Sequence, residues 1–442
     1  MCAIDREEKM NNKMLKALLA LGVIFSAQAA MAGVKIENWT APTGARVFFV
    51  ESRALPIIDV QVDFAAGAAQ DPVGKSGLAQ LTRGLMDLGA GDMNESDVAM
   101  KLADLGARLG GGADTDRASV SLRTLADADK RAAAFGIMRT VISAPRFPEA
   151  VFERERARTL AALRESLTRP ETIASRAFWS SLYGKHPYGL QPGIESLAAI
   201  ELDDLREFHA ANYVASSAAV TIVGALSRAE AEALAVQLTE ALPAGVAAPV
   251  LPVPALPAAT ELRLPHPAAQ AHIHLGLPAL KRGDPDFYAL MVGNYSLGGG
   301  GFVSRLMKEV RDKRGFAYSV YSYFAPMKEA GPFQIGLQTK RAQANDALKV
   351  TRDVLQQFLA EGPSEVELKA AKANIVGSFP LRLDSNRKIL DNVSAIGFYG
   401  MPLDYLDTYA QKIEQVTVAD VRAAFARHVQ PAHLITVVVA GD

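Results

Sequence analysis

The 442-residue sequence has one cysteine, Cys2, only two tryptophans and 7% aromatic residues. It has no excess of either charge, because 47 Lys and Arg side chains balance 48 Asp and Glu side chains to a formal net charge of −1. Proteins that bind nucleic acids normally concentrate a basic excess on one face, so we expect no nucleic-acid partner. A single cysteine also excludes an intramolecular disulfide and a metal site built from several cysteines.

Long apolar runs are equally scarce. One such run covers residues 17–25, and it is shorter than the ~18–20 residues that cross a bilayer as a helix. Lysines precede it and small residues follow it, which is typical of a cleavable export signal: Lys9, Lys13, Lys16 and Ala30-Met31-Ala32. We predict a signal peptide at residues 1–32 with cleavage near Ala32, a periplasmic location and no membrane span. Because residues 1–9 are acidic, translation from Met10 or Met14 is an alternative.

The sequence as a whole has the composition of a folded protein, and its length suits two or three domains. Apolar residues make up 49% and charged residues 21%, which is far from the signature of disorder. Five prolines between residues 243 and 258 disfavour a helix there and indicate an extended connector. We therefore predict an N-terminal domain at 33–242, a proline-rich linker at 243–258 and a C-terminal domain at 259–442.

The two predicted domains end in similar segments. In the first, a helical pattern starting at Asp204 leads into an apolar strand at Ala219–Gly224. In the second, a similar pattern starting at Asp420 leads into a strand at residues 434–441. Strands and amphipathic helices occur in mixed order in both halves. We predict an α+β fold of two homologous halves, each a mainly antiparallel sheet with helices packed on it.

Five segments carry a family resemblance: Gly74-Lys-Ser-Gly-Leu-Ala-Gln80, Glu153-Arg-Glu-Arg156, His186-Pro-Tyr-Gly189, Gly298-Gly-Gly-Gly-Phe-Val-Ser-Arg-Leu306 and Glu309-Val-Arg-Asp-Lys-Arg-Gly-Phe-Ala-Tyr318. Together with the duplicated halves, they resemble the pitrilysin-type (M16) zinc peptidases over essentially all of residues 33–442. The resemblance is strongest to the short-chain branch of that family, in which the working enzyme is a pair of subunits. It implies that this chain works with a second subunit.

The resemblance breaks down at the metal motif. Active members carry His-x-x-Glu-His on the first long helix, where two imidazoles bind zinc and the glutamate activates water. Here the matching positions are Gln80, Arg83 and Gly84; glutamine is a poor zinc ligand, arginine is cationic and glycine has no side chain. The third ligand position falls near Ala162, and Glu165, one turn further on, is either a relic of that ligand or part of a solvated helix face. We expect no zinc in this subunit.

The second half retains groups that the resemblance assigns to the active site. In relatives, an arginine and a tyrosine reach the catalytic centre from this half, and they correspond to Arg311 and Tyr318. As hydrogen-bond donors they would stabilise the negative charge on the substrate carbonyl oxygen; the alternative is a solvated basic face beside an ordinary strand aromatic. In noncatalytic relatives a glycine-rich loop contacts the substrate peptide, and it corresponds here to a run that could instead only end a helix: Gly298, Gly299, Gly300 and Gly301.

Two further features leave alternatives open. His272 and His274 point to one face of a predicted strand, with His266 nearby, so they either line a half-buried strand or chelate a metal. The metal interpretation is the less favoured one, because no carboxylate has a convincing ligand spacing. A strand at residues 117–125, which follows glycines at 110–112, could form an exposed edge to which a peptide adds as an extra strand.

These residues lead to one functional hypothesis. We predict a noncatalytic subunit of a periplasmic heterodimeric M16-type zinc metallopeptidase, whose His-x-x-Glu-His-bearing partner supplies zinc and the general base. This chain would donate Arg311 and Tyr318 to the partner's site and help enclose unfolded or short peptide substrates. The alternatives are a scaffold or a peptide-binding homodimer without a peptidase role and, less favoured, an independent enzyme built on His272 and His274.

Overall fold

The computed structural model describes residues 34–246 and 248–441. The signal peptide predicted at residues 1–32 lies outside the described residues. From Ile36 onward the chain forms one compact unit. Within the described residues, no helix combines the length and the apolar character needed to cross a bilayer. The predicted linker at 243–258 contains no helix or strand among its described residues.

The described part of the first half contains the strands β1 (Glu37–Thr40), β2 (Arg46–Glu51), β3 (Ile57–Phe64), β4 (Gly89–Ala90), β5 (Met93–Asn94), β6 (Arg108–Ala113), β7 (Ala118–Leu125) and β8 (Ala219–Gly224). β4 and β5 pair in a small ribbon, and the other six form one sheet in the order β1-β2-β8-β3-β7-β6. The β2–β8 pair is parallel, and the remaining pairs of this sheet are antiparallel.

The second half contributes five strands: β9 (Thr260–Pro265), β10 (Gln270–Leu280), β11 (Ala317–Phe324), β12 (Gly331–Lys340) and β13 (Ile435–Ala440). They form one sheet in the order β11-β12-β10-β13-β9. The β13–β9 pair is parallel, and the others are antiparallel. Reversed, this order matches β2-β8-β3-β7-β6 strand for strand, including the position of the parallel pair. The predicted α+β fold of two alike, mainly antiparallel halves is therefore confirmed.

Helices fill the connections between the strands. The first half contains α1 (Leu78–Leu85), α2 (Glu95–Asp104), α3 (Ala128–Ser143), α4 (Glu149–Ser166), α5 (Pro170–Tyr183), α6 (Ile194–Ala198), α7 (Leu202–Asn212) and α8 (Arg228–Thr239). The second half contains α9 (Phe287–Asn294), α10 (Ala344–Glu361), α11 (Glu365–Ser378), α12 (Asn386–Tyr399), α13 (Tyr405–Gln415) and α14 (Val418–His428). Two π-helical turns, Tyr295–Gly299 and Met307–Asp312, lie between α9 and β11.

Each sheet is covered on one face by a helix from the opposite half. α5 packs on β10 and β13, whereas α12 packs on β8 and β3. The contacts are close: a Cβ atom on Gly276 would lie 2.8 Å from the Phe178 ring of α5, and one on Gly397 of α12 would lie 2.5 Å from the Phe48 ring of β2. Such close packing leaves no room for a larger residue. The reciprocal exchange of helices joins the two halves into one folded unit.

A buried carboxylate also joins the halves. Asp116, in the turn between β6 and β7, accepts hydrogen bonds from the Tyr188 hydroxyl at 2.6 Å, the Tyr399 hydroxyl at 3.1 Å and the Lys328 N–H at 2.8 Å. Tyr188 belongs to the first half, and Tyr399 and Lys328 belong to the second. Hydrogen bonds to a charged group contribute ~1.5–3 kcal/mol each. Asp116 therefore fixes the arrangement of the two halves.

The expectation that the strand at residues 117–125 is an exposed edge is wrong. This strand is β7, and it pairs with β3 on one side and with β6 on the other. The edge at this side of the first sheet is β6, which contains the glycines at 110–112. Because glycine has a low strand propensity, the sequence pattern did not identify β6 as a strand.

Candidate functional site

Helix α1 carries the three positions that correspond to the zinc motif. Its first turn is held by Asp71, whose carboxylate oxygens accept hydrogen bonds from the backbone N–H groups of Gly77 at 2.7 Å and Ala79 at 2.8 Å. Burial raises the pKa of Asp71 to about 6 in spite of these bonds. Gln80 and Gly84 lie on the exposed face of the helix, one turn apart. The scaffold of the motif is thus in place without its ligands.

Arg83, at the position of the catalytic glutamate, is buried with 4% of its surface exposed. Its guanidinium donates hydrogen bonds to the backbone carbonyl oxygens of Ser119, at 2.6 Å, and Gly110, at 2.5 Å. It also lies 3.6 Å from the carboxylate of Asp87. At the position where an active relative has the water-activating glutamate, this chain has an arginine that holds strands β6 and β7 in place. Its positive charge also opposes the binding of a metal cation beside it.

The third ligand position offers no better site. Ala162 and Glu165 are exposed on α4, and Glu165 forms an ion pair with Arg169, four residues further on. An exposed pair at this spacing is typical of a solvated helix surface. Together with Gln80 and Gly84, these residues do not provide the imidazole and carboxylate ligands that a zinc ion of this family needs.

Elsewhere, one group of three potential ligands lies close together within the described residues: Asp284, Asp286 and His428. His428 Nε2 is 3.0 Å from Asp286. Arg427 donates two hydrogen bonds to the same carboxylate, at 2.7 and 2.8 Å, and this arrangement lowers the pKa of Asp286. An arginine already neutralises this carboxylate, so the group is best explained as an ion-pair network that ties the end of α14 to the start of α9.

Arg311 and Tyr318 line the same pocket. Arg311 is on the second π-helical turn, and Tyr318 is on β11 at a register shift between Ala317 and Ser319. Both line one pocket of about 420 Å³. Tyr318 is 84% exposed, and Arg311 pairs with Asp312 at 3.0 Å. β-Bulges and π-helical turns are frequent near functional sites, where they change the direction of a side chain. Here the π-helical turn carries Arg311, and the register shift lies at Tyr318.

The glycine run at residues 298–301 has a packing role in part. A Cβ atom on Gly298 would lie 2.5 Å from the backbone nitrogen of Ser322. Ser322 donates a hydrogen bond at 2.6 Å to Asn294 Oδ1, which fixes the first π-helical turn against β11. Gly299 and Gly301 are exposed, whereas Gly298 is buried and Gly300 is partly buried. The run therefore presents two of its four glycines to solvent.

Phe302 is a residue of this region that the sequence analysis did not single out. It follows the glycine run and is 68% exposed, with the Arg311 guanidinium 5.0 Å from the centre of its ring. A cation over an aromatic face is an attractive arrangement. Large aromatic residues are rarely left in solvent. In the sequence, the position of this phenylalanine directly after a glycine run was the one available signal.

His266, His272 and His274 have partners within the protein. His274 Nδ1 lies 2.8 Å from Gln334 Nε2 and accepts its hydrogen bond, and burial lowers the pKa of His274 to about 4. His272 is 4.0 Å from Glu171, and His266 contacts the Thr168 carbonyl oxygen at 3.1 Å. These histidines belong to no cluster with metal-ligand spacing among the described residues. The half-buried strand interpretation fits them best.

Charged groups on the first sheet neutralise one another. Arg123 donates two hydrogen bonds to Asp59, at 2.8 and 2.9 Å. Arg117 lies 3.2 Å from Asp63, which also accepts a bond of 2.6 Å from Ser394 of α12. Burial raises the pKa of Asp63 despite these partners. The charged groups Asp59, Asp63, Arg117 and Arg123 of this sheet are thus engaged within the protein.

Comparisons with known proteins agree with this architecture. The family model described as "Peptidase M16 inactive domain" matches residues 199–375. The non-peptidase homolog YmxG of Helicobacter pylori is 24% identical over 417 residues, which cover 93% of this chain and 95% of that protein. A crystal structure of a peptidase M16 inactive domain from Pseudomonas fluorescens superposes with a TM-score of 0.89 at 37% identity, covering 92% of this chain and 98% of that one.

A more distant structure shows the same fold. The periplasmic protease PqqL from Escherichia coli superposes with a TM-score of 0.78 at 16% identity, over 92% of this chain and 45% of its own. The match to inactive domains agrees with the loss of zinc ligands on α1. The chain therefore belongs to the M16 peptidase family, as an inactive member of it.

Proposed function

We propose that this chain is the noncatalytic subunit of an exported heterodimeric M16 zinc peptidase. A contrast between two places carries the proposal. On α1, Arg83 occupies the position of the general base and is bound to backbone carbonyl groups. In the second half, Arg311 and Tyr318 both line the 420 Å³ pocket, and Tyr318 is open to solvent. The first place does not fit zinc, and the second offers hydrogen-bond donors.

In this proposal the partner subunit carries an intact His-x-x-Glu-His helix and supplies zinc, its ligands and the general base. The residues of this chain complete the partner's site. When water attacks a peptide carbonyl, negative charge develops on the carbonyl oxygen, and donors aimed at that oxygen stabilise the transition state by ~3–4 kcal/mol each. The Arg311 guanidinium and the Tyr318 hydroxyl are the donors that this chain contributes.

The substrates proposed are unfolded or short peptides, bound in extended form between the two subunits. Gly299 and Gly301 are exposed, and Gly301 directly precedes Phe302, whose ring centre lies 5.0 Å from the Arg311 guanidinium. Their backbone N–H groups suit an extended chain. The export-like pattern at residues 1–32 and the fold shared with a periplasmic protease support a periplasmic location. A peptide-holding homodimer or a scaffold would use the same fold without needing both donors.

Co-expression with candidate His-x-x-Glu-His subunits tests the proposal. The complex should be purified through a tag on this chain and assayed for zinc content and for hydrolysis of an unstructured peptide. We expect one zinc per pair and activity in the complex, and neither stoichiometric zinc nor hydrolysis with this chain alone. Stoichiometric zinc and robust hydrolysis by the isolated chain would overturn the proposal. An active partner that gains nothing from this chain would favour the scaffold.

A further inference from the structure

A second pocket lies on the second sheet, beside the cleft of Arg311 and Tyr318. Strand pairing sets three rows of side chains across β10, β12 and β11 on one face. The rows are His272 with Gln338 and Ser319, His274 with Gly336 and Tyr321, and Gly276 with Gln334 and Tyr323. Helix α5 covers part of this face, and beside it a pocket of about 570 Å³ remains. Pockets of ~300–1,000 Å³ are large enough to bury a small ligand.

Glycine and tyrosine shape the floor of this pocket. A Cβ atom on Gly336 would lie 2.5 Å from the Tyr321 hydroxyl oxygen, so the Tyr321 ring lies across the strand where a larger residue would displace it. The rings of Tyr321 and Tyr323 are stacked, with centroids 6.0 Å apart and planes within 16°. The pocket therefore presents a flat aromatic wall.

A hydrogen-bond chain keeps this wall in place. The Tyr323 hydroxyl donates to Gln334 Oε1 at 2.8 Å, and Gln334 Nε2 donates to His274 Nδ1 at 2.8 Å. His274 is therefore the neutral tautomer with its proton on Nε2, and burial keeps its pKa well below neutrality. A buried network of this kind, with its members satisfied, holds rings in one orientation.

The pocket has little charge. Among the described residues that line it, Glu171 is the one carboxylate, and its side chain is 54% exposed with His272 at 4.0 Å. An exposed carboxylate attracts a cation weakly, by less than ~1 kcal/mol. The remaining lining groups are rings, hydroxyls, amides and one leucine. The surface therefore fits an uncharged planar group better than an ammonium or a carboxylate.

The pocket adjoins the proposed catalytic cleft. Gln338 lines both the 570 Å³ pocket and the pocket of Arg311 and Tyr318. Residues of β11, the edge strand of the second sheet, line both pockets. An extended peptide placed with one carbonyl at Tyr318 would thus direct neighbouring side chains toward this pocket.

We propose that the pocket formed by His272, His274, Ser319, Tyr321, Tyr323 and Gln334 is a subsite for one uncharged aromatic side chain of an extended peptide. The inference rests on the proposed function, because it assumes that peptides reach the cleft of Arg311 and Tyr318. It adds a preference for an aromatic side chain of the peptide, which the hydrogen-bond donors Arg311 and Tyr318 alone would not give. Stacking against the Tyr321 ring would provide the selectivity for a flat ring over an aliphatic or charged group.

Peptide binding to the isolated full chain tests this subsite without a catalytic partner. Fluorescence anisotropy would compare labelled, end-blocked decapeptides that differ only in one central residue: Phe, Ala, Arg or Glu. We expect the Phe peptide to bind about tenfold more tightly than the other three, the difference that burial of one ring provides. Equal binding of all four peptides, tighter binding of the Arg peptide, or no binding of the Phe peptide at 1 mM would overturn the proposal.

Two variants act on the pocket in opposite ways. Tyr321→Ala removes the wall, and Ser175→Phe, from the α5 side, fills the space. Both should abolish the tenfold preference while the melting temperature confirms folding, whereas Val366→Ala, at an exposed apolar position on α11, should retain it. A preference that survives in both folded pocket variants would also overturn the subsite. Because no partner is present, failure of the pairing experiment leaves this result unaffected, and the reverse holds too.

Discussion

The two halves of the chain share one strand order but use it for different purposes. In the first half, Arg83 is bound to backbone carbonyl groups, and Asp59 pairs with Arg123. In the second half, the equivalent sheet presents Tyr318 and Tyr321 to solvent or to a pocket. In the half that corresponds to the metal-binding half of active relatives, these polar side chains are bound to other groups of the protein. In the proposed function, the groups that act on an external ligand lie in the other half.

The largest expected effect is a loss of activity on substitution of Arg311 in the second half. Arg311→Ala should lower kcat/KM of the reconstituted pair by ~100–1,000-fold, because a donor to the developing negative charge is lost. The free energy of unfolding should change by less than ~0.5 kcal/mol, since Arg311 is partly exposed. Steady-state kinetics and urea unfolding measure the two quantities. Arg314→Ala, on the same segment and paired with Glu309, is the control; an equal loss of activity there would contradict a specific role.

The first half should show the reverse pattern. Arg83→Met keeps the aliphatic volume but removes the hydrogen bonds to Ser119 and Gly110. Leaving these buried carbonyl groups unpaired should lower the free energy of unfolding by ~2–4 kcal/mol. Turnover per folded pair should not change. A loss of turnover in a fully folded Arg83→Met complex would show that the first half still contributes to the chemistry.

A pH experiment examines the second sheet alone. The pKa of His274 is about 4 in the folded protein, below its ordinary value near 6.5, so the unfolded chain takes up the proton first. Stability is then lost as the pH falls from 6.5 toward 4, by ~2 kcal/mol between pH 7 and 4.5. His274→Gln should remove that part of the loss in urea unfolding. Asp71, with its raised pKa, acts in the opposite direction, but it is common to both proteins and cancels.

The smallest effect concerns the vacant ligand position on α1. A Cβ atom on Gly84 would meet nothing within 4 Å, and alanine favours a helix over glycine by ~0.5–1 kcal/mol. Gly84→Ala should therefore stabilise the chain by about that amount in thermal unfolding and leave the activity of the pair unchanged. Destabilisation would contradict the open space around Gly84.

Much of this architecture could be predicted from the sequence, but not the long-range packing. The repeat of Ala219–Gly224 near the C-terminus led to two alike halves, and the motif around Arg311 and Tyr318 led to one cleft. The glycines of β6 hid a strand, because a residue without a side chain leaves no alternating pattern. The pocket beside Tyr321 depends on the pairing of Gly336 with His274 and Tyr321. Such pairing is decided by register between distant segments, which local patterns do not encode.

The exchange of α5 and α12 has a consequence for how the chain is made and degraded. Neither half alone would possess the helix that closes its own sheet, so a fragment ending at the linker would expose surfaces that associate with other chains. A nascent first half must wait for residues 386–399 before its sheet is covered. In contrast, a single proteolytic cut between residues 243 and 258 in the folded protein should leave two fragments that remain associated, because each covers the sheet of the other with one helix.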